Sequence, residues 1–497
     1  MLSVSGCRGI FGVTMTPEVA ARLALASAGF LREQRARAGV AGRPLVVLGR
    51  DGRAGGESLL LAAAGGLAAG GCDVIDVGVA MTPTCAIFTD VRGADAGIVL
   101  TASHNPQQWN GLKLIARRAG LGAGVVDACA PDKDLADRVI RRFRALMPAA
   151  GSIEGVHPLA CDVPATLTGT VASASRGSGA LGVPNEATVA HVQVLREALL
   201  AIGVHDDRAM MGLKCVVDSV NASGVAGARE LLGPRLVAHL GSGASGLFPH
   251  APEPLKENLG DLCKVVRDKR ADAGFAQDPD ADRLAIVDEQ GSYIGEEYTL
   301  ALAAESLLSI DPAKSRGAVL CTNLSTSRMI EDVAAKYAAH VVRSPVGEAN
   351  VVEAMKREGA VLGGEGNGGV IWPRVTYIRD SLTAMALTLS LIARTGRPLS
   401  QLVASIPSYA ILKRKVDLLD AAAAERAGEQ VARHFASARV DRRDGVRVDF
   451  DDYARAGKAW VHVRASNTEP IMRLIAEAPS AAAAERLIDE TQRAIAG

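Results

Sequence analysis

Aromatic residues are scarce in this chain: Phe, Trp and Tyr together make up 3% of its 497 residues. That leaves too few rings for the stacking platforms on which single-stranded nucleic acids are held. Net charge is missing as well, because 55 Lys and Arg are matched by 55 Asp and Glu. Without a global field, neither nucleic acid nor an anionic membrane is a favoured partner, and any anion site has to be assembled locally. No apolar run approaches the roughly 18 residues of a membrane span; the longest candidate, Leu59 to Gly71, is rich in Ala and Gly and soon meets Asp73. The stretch Met1 to Ile10 lacks the charged-then-apolar pattern of a secretion signal. The eight cysteines are widely spaced and form no CxxC pair, which argues for reduced thiols over disulfides or a zinc site. The expectation is a soluble, cytoplasmic enzyme.

What the chain does have is apolar content, 48% of residues, enough to build two to four domains. One arrangement occurs three times: a short β-branched strand, a turn of small or polar residues, then an Ala-rich helix. It appears at Leu45 to Asp51 with a helix over 57–69, at Lys214 to Ser219 with a helix over 225–232, and at Ala318 to Asn323 with a helix over 327–339. Strands alternating with helices of this length predict α/β units with largely buried sheets. The last ninety or so residues differ: Lys415-Val-Asp-Leu, Val446-Arg-Val-Asp-Phe and Trp460-Val-His-Val alternate as one-faced antiparallel strands do, ahead of a helix over 481–495. The fold class is therefore α/β, with three tandem related α/β domains carrying mixed sheets and a C-terminal α+β domain. The boundaries fall at 1–208, 209–310, 311–408 and 409–497. The Gly-, Ser- and Thr-rich stretch 148–182 reads as a surface excursion within the first domain.

Two loops carry the chemistry. Thr101-Ala-Ser-His-Asn-Pro106 places Ser103 at the end of the apolar run Ala96 to Leu100, with His104 adjacent and Lys113 beyond an Asn110-Gly111 turn. A serine needs a base or a metal to act as a nucleophile. No GxSxG elbow is present and no acid is placed to orient His104, so a hydrolase triad is not supported. Asp278-Pro-Asp-Ala-Asp-Arg283 sets three carboxylates at alternate positions between two strand-like runs. Carboxylates so close repel unless a cation sits among them, and hard oxygen donors favour Mg²⁺. A calcium loop fails because Arg283 stands where the sixth-position glycine belongs. A strand-end serine with a hard-cation site points to phosphoryl transfer.

Two further loops complete the inventory. Leu362-Gly-Gly-Glu-Gly-Asn-Gly-Gly369 lets backbone approach a ligand while Glu365 and Asn367 offer partners for vicinal hydroxyls. Arg464-Ala-Ser-Asn-Thr-Glu-Pro470 followed by Arg473 supplies guanidinium forks, two hydroxyls and an amide, the inventory of a phosphate cradle.

These motifs, in this order and beginning at Gly6-Cys-Arg-Gly-Ile-Phe-Gly12, resemble the α-D-phosphohexomutase family along nearly the whole chain. The resemblance implies four domains around a central cleft, each giving one loop. It implies that Ser103 is carried as phosphoserine and that its phosphate, with Asp278, Asp280 and Asp282, binds Mg²⁺. Arg8, His104, Lys113 and Arg283 match positions lining the reaction centre. Glu365 and Asn367 match the sugar loop, and Arg464, Ser466, Asn467, Thr468 and Arg473 the distal phosphate site. The implied reaction interconverts a hexose 6-phosphate and a hexose 1-phosphate through a 1,6-bisphosphate, which also serves as activator. The partner is then a small sugar phosphate, with no nucleic acid and no membrane, and the chain is a monomer or dimer.

Two departures bear on the substrate. The sugar loop has Gly-Asn where many members have a residue followed by Ser, and the phosphate loop has Ser-Asn-Thr in place of Ser-Gly-Thr. The first form resembles a branch often assigned as phosphoglucosamine mutase and sometimes as phosphomannomutase; phosphoglucosamine mutase is the expectation, and phosphomannomutase or phosphoglucomutase is the alternative. A non-enzymatic sugar-phosphate binder would need neither Ser103 nor the aspartates, and a serine-dependent phosphatase would release inorganic phosphate.

Overall fold

The structure is a computed structural model that describes residues 2–3, 6–146, 170–173, 184–204, 212–243, 245–417, 421–465 and 471–496. The chain divides into two compact units, Met1–Thr299 with Gly368–Ser400, and Leu300–Asn367 with Gln401–Gly497. No helix among the described residues is long and apolar enough to cross a membrane.

In the first unit, Leu45–Arg50 runs parallel to both Asp73–Val79 and Ala96–Leu100. Trp109–Ala116 and Gly6–Ile10 extend the sheet antiparallel beyond Ala96–Leu100. The sheet is thus mixed, and Ala96–Leu100 is buried at every position, as a strand covered on both faces must be. Helices Pro17–Arg37 and Gly56–Ala69 bury Leu23, Phe30, Leu59 and Leu67 against it. Gly111 is required where it stands, because a Cβ would lie 2.3 Å from the Cys7 carbonyl oxygen and 2.8 Å from that of Thr101.

Of the stretch 148–182, only 170–173 belong to the described residues. They are not a loop: Val171–Ser173 pairs parallel to Val74–Asp76 at the sheet edge, and Asp73 Oδ1 accepts from the Thr170 amide and hydroxyl, both at 2.9 Å. A second sheet has Cys215–Asp218 between Leu236–Leu240 and Ala273–Gln277, all parallel, with Leu284–Asp288 antiparallel at its edge. The aspartate loop is therefore the turn of a hairpin between two fully buried strands.

In the second unit, Val319–Asn323 lies between His340–Ser344 and Leu362–Glu365, all parallel. The helix expected over 327–339 spans Met329–Lys336 only, since Ala338 takes a left-handed φ of 52° as the chain turns into the next strand. The C-terminal sheet is antiparallel throughout, in the order Ala410–Asp417, Ile471–Ala478, Ala459–Ala465, Val446–Phe450, Arg439–Asp441. The expectation of a one-faced sheet needs correction. Trp460 and His462, on the polar face, are fully buried because Glu477 accepts from the indole at 2.7 Å and Ser325 Oγ meets His462 Nδ1 at 2.8 Å. Partnered polar groups can be buried at little cost, so alternation does not mean exposure.

Candidate active site

Ser103 sits at the carboxyl end of Ala96–Leu100 with a φ of 51°, a conformation rare for a residue other than glycine. The loop around it is clamped from below. Asp51 Oδ2 accepts from the Thr101 hydroxyl at 2.6 Å and from Arg53 Nε at 2.8 Å, and Thr101 Oγ1 in turn accepts from the Ser103 amide at 2.8 Å. Arg53, 1% exposed, also donates to the carbonyls of Trp109 at 2.8 Å, Asn105 at 3.3 Å, and Ser103. One guanidinium thus ties both ends of the loop. Arg53→Met would strand the Asp51 carboxylate in the interior, so we expect a loss of about 3–5 kcal/mol, read as a lowered urea midpoint. Adding Asp51→Asn should recover part of that loss.

The serine hydroxyl donates to Asp278 Oδ2 at 3.0 Å and lies 3.4 Å from His104 Nδ1. Asp278, Asp280 and Asp282 are wholly buried, and one carboxylate oxygen from each lies within 4.8 Å of the others. Lys113 Nζ donates to Asp280 at 3.0 Å and to Asp282 at 2.8 Å, while Arg379 donates to Asp282 at 2.7 Å and Thr82 Oγ1 to Asp280 at 2.7 Å. Burial and the two neighbouring carboxylates push the Asp278 carboxyl well above the usual range. Burial pushes Asp280 up too, but Lys113 and the Thr82 hydroxyl outweigh it and hold the group well below. Asp282 is likewise depressed against its burial, chiefly by Arg379.

The fit to a divalent cation rests on two orphans: Asp280 Oδ1 and Asp282 Oδ1 are buried with no hydrogen-bond partner. Together with Asp278 they offer the hard oxygen donors that such an ion takes.

The loop that carries these carboxylates is pinned by its carbonyls. Pro279 O accepts from Ser223 Oγ at 2.7 Å, Asp280 O from the Thr82 amide at 3.0 Å, and Ala281 O from Ser381 Oγ at 2.7 Å. These donors open or precede the helices Gly224–Leu232, Thr82–Arg92 and Ser381–Thr395. Three successive carbonyls are therefore held by three helix starts, which fixes Ala281 at a φ of 52°.

Arg8 reaches Asn105 Oδ1 at 3.1 Å, and burial lowers its pKa. Arg283 Nε lies 3.8 Å from Asp282 Oδ1. Its charge, with burial and Arg8, drives His104 down to about 2, so the imidazole is neutral at physiological pH. All eight expected residues of the reaction centre thus lie in one network.

In the second unit, Glu365 is buried and accepts from Asn323 Nδ2 at 2.8 Å, while Asn367 Oδ1 is buried without a partner. Arg464 and Arg473 are direct cross-strand partners, so their side chains share one face of the sheet. Arg464 is buried, its Nε donating at 3.1 Å to Asp444 Oδ2, which also accepts from the Val346 amide at 2.9 Å. Ser466, Asn467 and Thr468 lie outside the described residues.

Sequence reasoning missed Asp51, Arg53, Thr82, Arg379 and Asp444. Only the first two left a trace, the charged Arg50-Asp51-Gly52-Arg53 run closing an apolar strand.

Comparison with known proteins decides the family. The phosphoglucomutase/phosphomannomutase α/β/α domains I, II and III match residues 2–123, 192–291 and 296–409, and the C-terminal domain of the same family matches 413–494. The chain belongs to the phosphoglucomutase/phosphomannomutase family. It is a phosphohexomutase, an isomerase that acts by phosphoryl transfer. A Methanopyrus kandleri relative described as a probable phosphoglucosamine mutase is 35% identical, the match covering 98% of this chain and 95% of the relative. A Thermococcus kodakarensis phosphoglucomutase/phosphomannomutase is 33% identical over 96% and 94%. Among solved structures, a Burkholderia thailandensis protein of the phosphoglucomutase/phosphomannomutase family superposes with a TM-score of 0.76 at 27% identity, covering 100% of this phosphohexomutase and 98% of that chain.

Proposed function

We propose that this phosphohexomutase carries its phosphoryl group on Ser103 and interconverts glucosamine 6-phosphate and glucosamine 1-phosphate. The observation that supports the reading most is the Ser103 hydroxyl 3.0 Å from Asp278 within a buried triad of aspartates. In the transfer step, the P–O bond to Ser103 Oγ breaks and a P–O bond to the sugar's free hydroxyl forms, while Oγ regains the proton that the sugar gives up. The groups beside Oγ able to pass that proton are the Asp278 carboxylate at 3.0 Å and the neutral His104 imidazole at 3.4 Å, while Lys113 holds Asp280 and Asp282 in place. Arg8 and Arg283 hold the charge of the phosphoryl group as it moves. Asp278, Asp280 and Asp282 would hold Mg²⁺, which when bound supplies positive charge against the phosphate oxygens.

In the same reading, Glu365 and Asn367 take the sugar hydroxyls, the orphaned Asn367 Oδ1 accepting one of them. Arg464, Ser466, Asn467, Thr468 and Arg473 hold the phosphate that is not reacting. The 1,6-bisphosphate returns its other phosphate to Ser103 and also primes the enzyme. Four domains at 1–208, 209–310, 311–408 and 409–497 belong to this reading, as do a cytoplasmic setting and a monomer or dimer. The preference for glucosamine rests on the Gly366-Asn367 form of the sugar loop and on relatives of that description. Mannose or glucose phosphate is the second reading, favoured by the Thermococcus relative.

A coupled assay with glucosamine, mannose and glucose 6-phosphates, primed by bisphosphate, tests the substrate: a higher kcat/KM for mannose or glucose phosphate would overturn the first reading. Asp280→Asn tests the metal. It removes one charged ligand and should weaken Mg²⁺ and turnover together by about tenfold or more. Full activity of the unaltered enzyme after exhaustive chelation would rule the site out.

A further inference from the structure

The second unit contains a cavity of about 670 Å³ whose walls are dominated by arginine, and none of its lining residues belongs to the four motif loops. Arg328 and Arg343 line it, and Arg439, Arg442, Arg443 and Arg447 come from the strands Arg439–Asp441 and Val446–Phe450 of the C-terminal sheet and the turn between them. Three acids share the lining, Glu331, Asp441 and Asp449. Each is already claimed. Arg343 holds Glu331 through two bonds at 2.7 and 2.8 Å, Arg443 reaches Asp441 at 2.6 Å, and Arg447 reaches Asp449 at 2.7 Å.

None of the remaining three arginines has one of the lining acids closer than 3.6 Å. Arg328 Nε is buried with no hydrogen-bond partner, and its guanidinium stacks only over the Tyr409 ring at 5.9 Å. Arg439 comes no nearer than 3.6 Å to Asp449, and Arg442 turns to the exposed Glu429 at 3.2 and 3.5 Å. Burial, and after it the charge of Arg343, pushes Arg447 down to about 10, while Arg343, against its own burial, is raised by the acids around it. Six cations against three anions leave a local excess in a chain whose overall balance is zero.

We propose that this cavity binds a small anion carrying two linked phosphate groups, at a site separate from the reaction centre. Its volume suits a small organic ligand, and planar guanidinium forks pair with phosphate oxygens in twos. Two linked phosphates offer more such oxygen pairs to the six lining arginines than one does.

Calorimetric titration of the full chain with sodium pyrophosphate, in EDTA and at low salt, tests this. Arg464→Ala, which weakens the substrate's own phosphate site, should keep one saturable pyrophosphate site. Arg328→Gln/Arg442→Gln should weaken that site by about tenfold or more and leave kcat/KM for hexose phosphate unchanged. Arg442→Gln alone, at an exposed side chain, repeats the test without risk to folding and should weaken the site severalfold. Inorganic phosphate should bind there at least about tenfold more weakly. Loss of all pyrophosphate binding in Arg464→Ala, equal binding by the cavity variants and the parent, or equal affinity for phosphate and pyrophosphate would overturn the proposal.

Discussion

Ser103→Ala is expected to lose turnover by more than about a hundredfold, because it removes outright the group proposed to carry the phosphoryl. The hydroxyl bonds to Asp278 at 3.0 Å and to His104 at 3.4 Å, and removing one oxygen takes away little packing volume. The loop itself is held by Asp51, Thr101 and Arg53, none of which needs the serine side chain. Thermal stability should therefore stay close to the parent's. The intact mass of the purified parent should show an excess of about 80 Da that maps to Ser103 and is absent from the variant. Near-normal turnover by Ser103→Ala, or a parent that turns over without ever carrying phosphate there, would end the mechanism.

The candidate site was legible because the residues proposed for its chemistry lie in short contiguous runs. Ser103, His104 and Lys113 share one strand–turn–strand segment, and the aspartates share one hairpin turn. What holds these runs in place was not legible, since it comes from far along the chain. Arg379 pairs with Asp282 across 97 positions, and Thr82 with Asp280 across 198. No local pattern distinguishes Thr82, Ser223 or Ser381 from other helix-opening residues, although together they fix the carbonyls of the aspartate loop. The repeated strand–turn–helix pattern gave the three α/β sheets because buried parallel strands read as apolar runs. It failed at Val171–Ser173, where three residues pair at an edge with too little apolar signal to stand out. It failed again on the C-terminal sheet, where Trp460, His462 and Glu477 look polar in sequence but satisfy one another or Ser325 when buried.

Arg464→Ala is the second large effect expected. The structure orients this guanidinium through Asp444, which accepts from its Nε at 3.1 Å and is itself fixed by the Val346 amide. That bond uses one edge of the fork and leaves the terminal nitrogens for a phosphate, with Arg473 directly across the hairpin. Losing a charge-assisted pair in a desolvated site costs about 2–5 kcal/mol. For hexose 6-phosphate, KM should rise sharply and kcat/KM should fall by about two orders of magnitude. Turnover should drop too, since binding energy at the remote phosphate positions the reacting hydroxyl. Arg464→Lys should recover only part of the loss, because an ammonium cannot grip both Asp444 and the phosphate with a planar fork. Phosphorylation of Ser103 should survive in both variants. An unchanged kcat/KM in Arg464→Ala would make this arginine a structural partner of Asp444 and remove the distal phosphate site from the proposed mechanism.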